Sequence, residues 1–190
     1  MCVGICCAAL LFASGALLAE GEKSSPVKAV EFLTGFGWGK LRSQHNYHLY
    51  PFMVDFDFDL KPLTQKIHFN PPSLIQFQIE PYLSYIASPH SDIETGTVFF
   101  LKVGLLPETS KFQPYVKAGA GLCFMTLHTR EQGTQFNFNE PGGIGFHYFF
   151  TKDCALTVEG RYRHLSNAGT GSPNSGVNTA FIVTGVTRRF

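Results

Sequence analysis

The stretch FMVDFDFDL, residues 52–60, alternates apolar and polar side chains over most of its length. Its apolar positions are Phe52, Val54, Phe56, Phe58 and Leu60, and its acidic positions are Asp55, Asp57 and Asp59. A period of two residues is typical of a β-strand whose two faces meet different surroundings. The stretch therefore predicts a strand with one apolar face and one acidic face.

Seven more stretches of similar alternation are separated by turn-rich breaks. The eight predicted strands cover residues 27–41, 46–60, 73–88, 95–107, 112–127, 135–150, 154–169 and 176–190. Eight long strands with apolar faces opposite polar ones, ending in Phe190, are typical of an outer-membrane barrel. Such a sheet must close, because an unpaired strand edge finds no water in hydrocarbon. The predicted fold class is all-β, an eight-stranded antiparallel transmembrane β-barrel of the outer-membrane type.

Composition narrows the class of protein without deciding between two kinds of barrel. The 190 residues suggest one domain, and the net charge of +1 indicates no nucleic-acid partner. Aromatic residues make up 14% of the chain and charged residues 15%, which suits either a large apolar core or a surface in lipid. A soluble barrel or sandwich, including a lipid-carrying one, stays open as an alternative.

The N-terminal segment is apolar and has small residues near its end. Residues 1–19 are predicted to be a signal peptide, although the usual positive start is missing, and residues 20–190 form the barrel domain. Two cysteines follow the signal, Cys123 and Cys154. They are predicted near opposite rims and on opposite faces, too far apart for the ~7 Å Cα limit of a disulfide. We expect two free thiols.

Charged residues on the polar faces are predicted to fill the barrel. The predicted inward set is Asp55, Asp57, Asp59, Glu80, Lys117, Glu159, Arg161 and Arg163. Both signs are present, so we interpret these residues as a structural ion-pair network. No histidine group has the spacing of a zinc site, and we predict neither a metal nor a cofactor.

The run HLSNAG, residues 164–169, ends the seventh predicted strand. His164 and Ser166 share the parity of the apolar residues of that strand, so both are predicted to face outward. With the termini in the periplasm, His164 lies about 23 Å above Cys154, near the outer side of the apolar band. An imidazole can activate a serine two residues away as its general base, but the spacing alone is common in strand ends.

The longer run RYRHLSNAGTGSPNSGVN resembles the signature of the lipid A 3-O-deacylase family, called PagL. That signature is a His-x-Ser-Asn-Ala-Gly run followed by a Pro-Asn-x-Gly segment, which here begins at Pro173. The resemblance implies an outer-membrane esterase that removes the acyl chain at position 3 of lipid A. It implies Ser166 as the nucleophile, His164 as the base, and Asn167 with the Gly169 N–H as oxyanion-stabilising groups.

The acidic third member is where the sequence departs from this family. The family's glutamate aligns with Asn178, whose amide can orient the imidazole but cannot balance its positive charge. Five other carboxylates are candidate replacements: Glu159 is predicted inside, Asp153 at the opposite rim, Glu140 some distance below the outer rim, and Glu131 and Glu94 in loops without a predicted position. Asn178 is the favoured partner of His164.

The sequence thus predicts a carboxylic ester hydrolase in the outer membrane of a Gram-negative bacterium, acting on lipid A or lipopolysaccharide and surrounded by membrane lipids. Ser166, His164 and Asn178 are the predicted catalytic residues. The alternative is a non-catalytic small barrel with an adhesion or membrane-stabilising role, which the amide at position 178 favours. Whether the barrel is a monomer or a homodimer is left open by the sequence.

Overall fold

Eight antiparallel strands close into one barrel, in which each strand pairs with its neighbours in the chain and the last pairs with the first. The computed structural model describes residues 26–42 and 45–190, so the predicted signal peptide lies outside the described residues. The strands are β1 (Val27–Leu41), β2 (His45–Asp59), β3 (Ser73–Ser88), β4 (Asp92–Pro107), β5 (Phe112–Met125), β6 (Phe136–Phe149), β7 (Cys154–Ser166) and β8 (Val177–Arg189). The predicted fold class is confirmed.

The outer wall of the barrel is apolar. Large exposed side chains lie around its circumference, among them Phe32, Phe52, Leu83, Leu101, Ile144, Tyr162 and Ile182. A barrel in water would hide such a wall, whereas hydrocarbon solvates it. The exposed apolar wall therefore argues against a water-soluble barrel or sandwich. Among the described residues, no helix is long and apolar enough to cross a bilayer.

The interior of the barrel is filled by charged and aromatic side chains. Lys102 Nζ, fully buried, lies 2.6 Å from Glu31 Oε1 and 2.8 Å from Asp57 Oδ2. Lys117 Nζ lies 2.9 Å from Glu159 Oε1, and Arg161 also binds Glu159. The predicted ion-pair network is therefore present.

Lys102 and Glu31 were not in the predicted inward set, although both are fully buried in the interior. Asp59, at the end of β2, is half-buried rather than enclosed. Asp59 has the inward parity of Asp55 and Asp57, but it is more exposed because β2 ends at this rim.

That connection, residues 60–72, is long for the rim that carries both termini. It forms a short helix, α1 (Lys61–Thr64), followed by one 3₁₀ turn (Gln65–Ile67). At the same rim lies Cys154, which is half-buried, whereas Cys123 is buried near the other end of β5. Both cysteines are free thiols in the structure.

The opposite rim carries the two connections that matter for the site. They are the segments between β5 and β6 and between β7 and β8, residues 126–135 and 167–176. Gln132 and Asn174 form a bridge between them, and Gly133 N donates to Pro173 O. The two connections therefore hold each other in place above the end of β7.

Candidate active site

The end of β7 presents His164 and Ser166 on the outer wall. Burial alternates along this strand, so that Arg163 and Leu165 point inward and their neighbours point outward. His164 and Ser166 are half-buried and lie at the rim opposite the termini. Their predicted outward orientation agrees with the structure.

His164 contacts the residue predicted as its partner. It stands opposite Asn178 in the register of β7 and β8, and its Nδ1 lies 2.7 Å from Asn178 Oδ1. Because an amide oxygen only accepts hydrogen bonds, Nδ1 carries the proton in this contact. The other ring nitrogen, Nε2, is then unprotonated in the neutral imidazole and can accept a proton. No hydrogen bond joins His164 directly to Ser166 in the described part of the chain.

The connection after β7 is held by the side chain of Asn167. Its Nδ2 donates to Gly171 O at 3.0 Å and to Pro173 O at 3.1 Å, and its Oδ1 accepts from Gly169 N at 2.9 Å. Asn167 is fully buried. Its backbone N–H donates to Asn174 Oδ1 at 2.9 Å.

These bonds differ from the oxyanion-stabilising roles expected for Asn167 and Gly169. In the structure both groups use their N–H donors inside the turn, and Asn167 has the inward parity of β7. Asn167 follows the last residue of β7 and is buried, whereas Ser166 is half-buried on the outer wall. The N–H that does point at Ser166 is that of Ala168, 3.4 Å from Oγ.

The backbone of this turn explains the small residues in the motif. Ala168 has φ 51° and Gly169 has φ 79°, both in the left-handed region. Two such residues in succession turn the chain sharply back over the rim, which glycine does at no steric cost. The turn is what aims the Ala168 N–H at the serine hydroxyl.

Two residues of β6 complete the surroundings on the outer wall. Glu140 stands opposite His164, and Phe138 stands opposite Ser166. Both are exposed. Beyond Phe138, Leu122 of β5 continues the apolar surface in the same row. Residue counting predicts Glu140 some distance below the outer rim, and the register of β6 with β7 places it directly across from His164.

The other candidate carboxylate partners of His164 lie elsewhere. Glu94 belongs to β4 rather than to a loop, and it is buried inside the barrel with Arg163 Nη1 at 2.6 Å from its Oε1. Glu131 is buried in its connection and accepts from the backbone N–H of Arg42. Glu159 is inside and Asp153 lies at the rim of the termini. Of these candidates only Glu140 shares the outer wall with His164.

One group of carboxylates has a spacing that could hold a cation, although sequence spacing gave no sign of it. Oxygens of Glu31, Asp55 and Glu159 lie within 4.8 Å of one another inside the barrel. Lys102 binds the first and Lys117 the last of these residues. Because ammonium groups already neutralise the group, it belongs to the ion-pair network.

Fold and site together define an outer-membrane β-barrel that carries a serine and an imidazole on its lipid-facing wall. The family model described as "Lipid A 3-O-deacylase (PagL)" matches residues 52–187. The chain belongs to this family, whose proteins lie in the outer membrane of Gram-negative bacteria, and its name implies an ester hydrolase acting on lipid A. No curated protein matches the chain by sequence alone.

Solved structures share the barrel at low sequence identity. The outer-membrane enzyme PagL is similar with a TM-score of 0.64 and 16% identity, covering 85% of this chain and 99% of that one. Neisserial surface protein A is similar with a TM-score of 0.60 and 13% identity, covering 85% of this chain and 96% of that one. At such identities the likeness concerns the fold alone, so the activity has to be argued from the site.

Proposed function

We propose that this protein hydrolyses the ester that holds the 3-O-linked acyl chain of lipid A, with Ser166 as nucleophile and His164 as general base. The observation that carries the proposal is the contact of His164 Nδ1 with Asn178 Oδ1, because it leaves Nε2 as a proton acceptor on the face that also bears Ser166. Membership of the family supports the substrate.

The reaction follows from the two ring nitrogens of His164. Nε2 takes the proton of Ser166 as Oγ attacks the ester carbonyl. The bond from the carbonyl carbon to the 3-oxygen of the sugar then breaks, and the imidazolium gives its proton to that departing oxygen. Water, activated by the same nitrogen, hydrolyses the acyl-serine and releases a 3-hydroxy fatty acid. Asn178 holds the ring through its Nδ1–H during both steps.

The oxyanion of each tetrahedral intermediate needs donors near Ser166. The Ala168 N–H is suited to this role, because a donor 3.4 Å from Oγ reaches an oxygen bonded to the same carbon as Oγ. Asn174 is a second candidate, since its exposed side chain uses Oδ1 to hold the Asn167 N–H, which leaves its amide nitrogen to donate. The expected roles of Asn167 and Gly169 would require their turn bonds to break.

The outward orientation of the site suits a lipid substrate. A lipid A molecule in the outer leaflet reaches the wall of the barrel sideways, so its ester need not leave the membrane. Phe138, opposite Ser166, and Leu122 beyond it form an apolar surface on which the acyl chain can lie. The sugar end of the ester then lies toward the polar rim.

A non-catalytic barrel is the second candidate, and Asn178 favours it because an amide cannot balance an imidazolium charge. The two functions separate in one assay. Purified full-length protein in detergent is incubated with lipid A, and the products are weighed by mass spectrometry. We expect loss of one 3-hydroxyacyl group, and no loss with Ser166→Ala or His164→Ala.

The matched control is Ser91→Ala, which removes an exposed hydroxyl at the same rim, outside the site. All variants should keep the heat-modifiable gel mobility of a folded barrel. Release of fatty acid by Ser166→Ala at the wild-type rate would reject the serine mechanism. Absence of any release by the wild-type protein would favour the non-catalytic barrel.

A further inference from the structure

We propose that Glu140 is the positioning residue that balances the imidazolium charge of His164, so that the carboxylate missing at position 178 is supplied from the strand on the other side of the histidine. The proposal rests on the proposed ester hydrolysis. It assigns Glu140 no contact with the substrate.

The register of the sheet carries the first step of the argument. Glu140 of β6 and Asn178 of β8 are the two cross-strand partners of His164. Cross-strand partners on one face have Cβ atoms about 4.5–5.5 Å apart, which brings a glutamate side chain within reach of an imidazole. His164 therefore stands between Asn178, whose amide oxygen holds Nδ1, and Glu140 on the strand at its other side.

The second step is the unusual position of Glu140 on the barrel. The other carboxylates on the strands of the described residues have inward parity. Along β6, Glu140 lies between the exposed apolar residues Phe138 and Ile144. A charged side chain on the lipid-facing wall destabilises a barrel in proportion to its depth. A charged residue on the lipid-facing wall is a candidate for a functional role. The cross-strand partner of Glu140 on that wall is His164.

The third step is the charge that the reaction requires. When Nε2 takes the serine proton, the ring becomes a cation beside lipid, where opposite charge is poorly screened. Asn178 offers only a dipole. Among the described residues, no other nearby group supplies a negative charge. Lys40 of β1 is basic, as is Arg42, whose Nη1 donates to Ser175 Oγ, and residues 167–176 contain no titratable side chain. In the connection of residues 126–135, Glu131 is buried against the Arg42 N–H.

The main test compares Glu140→Gln with the wild-type protein on lipid A in detergent. We expect kcat to fall by about 10- to 100-fold with little change in KM, because the charge acts on the transition state. The acid limb of the pH–rate profile should move to lower pH, since the imidazolium has lost its counter-charge. Glu140→Asp should keep most of the activity. Asp153→Asn, an exposed carboxylate at the other rim, is the matched control and should behave as wild type.

A second variant distinguishes charge from structure. Asn178→Glu introduced into Glu140→Gln moves the carboxylate to the opposite flank of the same ring, and we expect it to restore kcat and the acid limb. Wild-type kcat and an unmoved acid limb in Glu140→Gln would overturn the proposal. So would a loss of activity that neither Glu140→Asp nor the double variant restores.

A readout independent of activity separates this proposal from the proposed function. The ring signals of His164 are followed against pH by NMR in micelles and are assigned by their absence in His164→Ala. Glu140→Gln should move the titration midpoint of this ring to lower pH whether or not lipid A is cleaved. An unmoved midpoint would overturn the role of Glu140 alone, whereas an inactive wild-type protein with a moved midpoint would overturn the ester hydrolysis alone.

Discussion

The imidazole of His164 lies against the backbone of Gly176. A Cβ at position 176 would stand 2.3 Å from Cε1 and 3.0 Å from Nε2 of the ring. Gly176 also has φ 76°, a left-handed conformation that side chains rarely adopt. The glycine of the Pro-Asn-x-Gly segment therefore leaves the space that the ring of His164, the proposed general base, occupies.

Gly176→Ala should displace the His164 ring and break its contact with Asn178. We expect activity on lipid A to fall by about 100-fold, because a misplacement of about 1 Å can have that effect on a positioned base. Gly160→Ala is the control, since a Cβ there would meet nothing within 4 Å. Comparable activity of the two alanine variants would contradict the packing of the ring on Gly176. Gel mobility without heating checks that both barrels are folded.

Asn178→Ala removes the hydrogen-bond acceptor of the His164 Nδ1–H and leaves Glu140 in place. We expect kcat to fall by about 5- to 10-fold, which corresponds to the loss of about one neutral hydrogen bond. KM should change little, because Asn178 acts through the ring rather than on the lipid. A fall in kcat as large as that of His164→Ala would show instead that the amide alone determines the orientation of the base.

The strands were predictable from sequence because most of them alternate visibly, as Phe52 to Leu60 does. The start of β4 was predicted at residue 95 but lies at Asp92. Glu94 was therefore predicted in a loop, yet it lies in β4 and points inward to Arg163. The end of β7 was predicted at residue 169, whereas the left-handed turn at Ala168 ends the strand at Ser166. The alternation of apolar and polar residues alone therefore does not determine where a strand begins or ends.

The residues of the candidate site were predictable where one strand or one motif carries them. His164 and Ser166 share a parity, and Asn178 begins the adjacent strand, so their neighbourhood follows from short counts. The pairing of Glu140 with His164 could not be predicted, because it depends on the register of β6 with β7, which the turn between them sets. The bonds of Asn167 depend on a folded connection and have no periodic signal.

Phe138→Ala should weaken the binding of the acyl chain without changing the chemistry. Phe138 stands opposite Ser166, and loss of contact with two methylenes or so corresponds to about a 10-fold fall in kcat/KM. The fall should lie in KM, with kcat unchanged, and should diminish for substrates with shorter acyl chains. Phe32→Ala removes an exposed phenylalanine elsewhere on the wall and serves as the control. Equal kinetics for both variants would place the acyl chain on another surface.

The ion-pair network predicts a stability effect that is separate from activity. Lys102 is fully buried and binds both Glu31 and Asp57, so Lys102→Met leaves two carboxylates without their cation in the barrel interior. Removal of one partner of a buried pair destabilises a protein by about 3–5 kcal/mol, because the remaining charge is uncompensated. We expect that loss in the free energy of unfolding, measured by urea titration in detergent micelles. Lys152→Met, in the exposed turn after β6, should change it by less than about 0.5 kcal/mol. If Lys102→Met were as stable as this control, the carboxylates would have to be neutral in the folded barrel, and the network would hold protons where the structure places ion pairs.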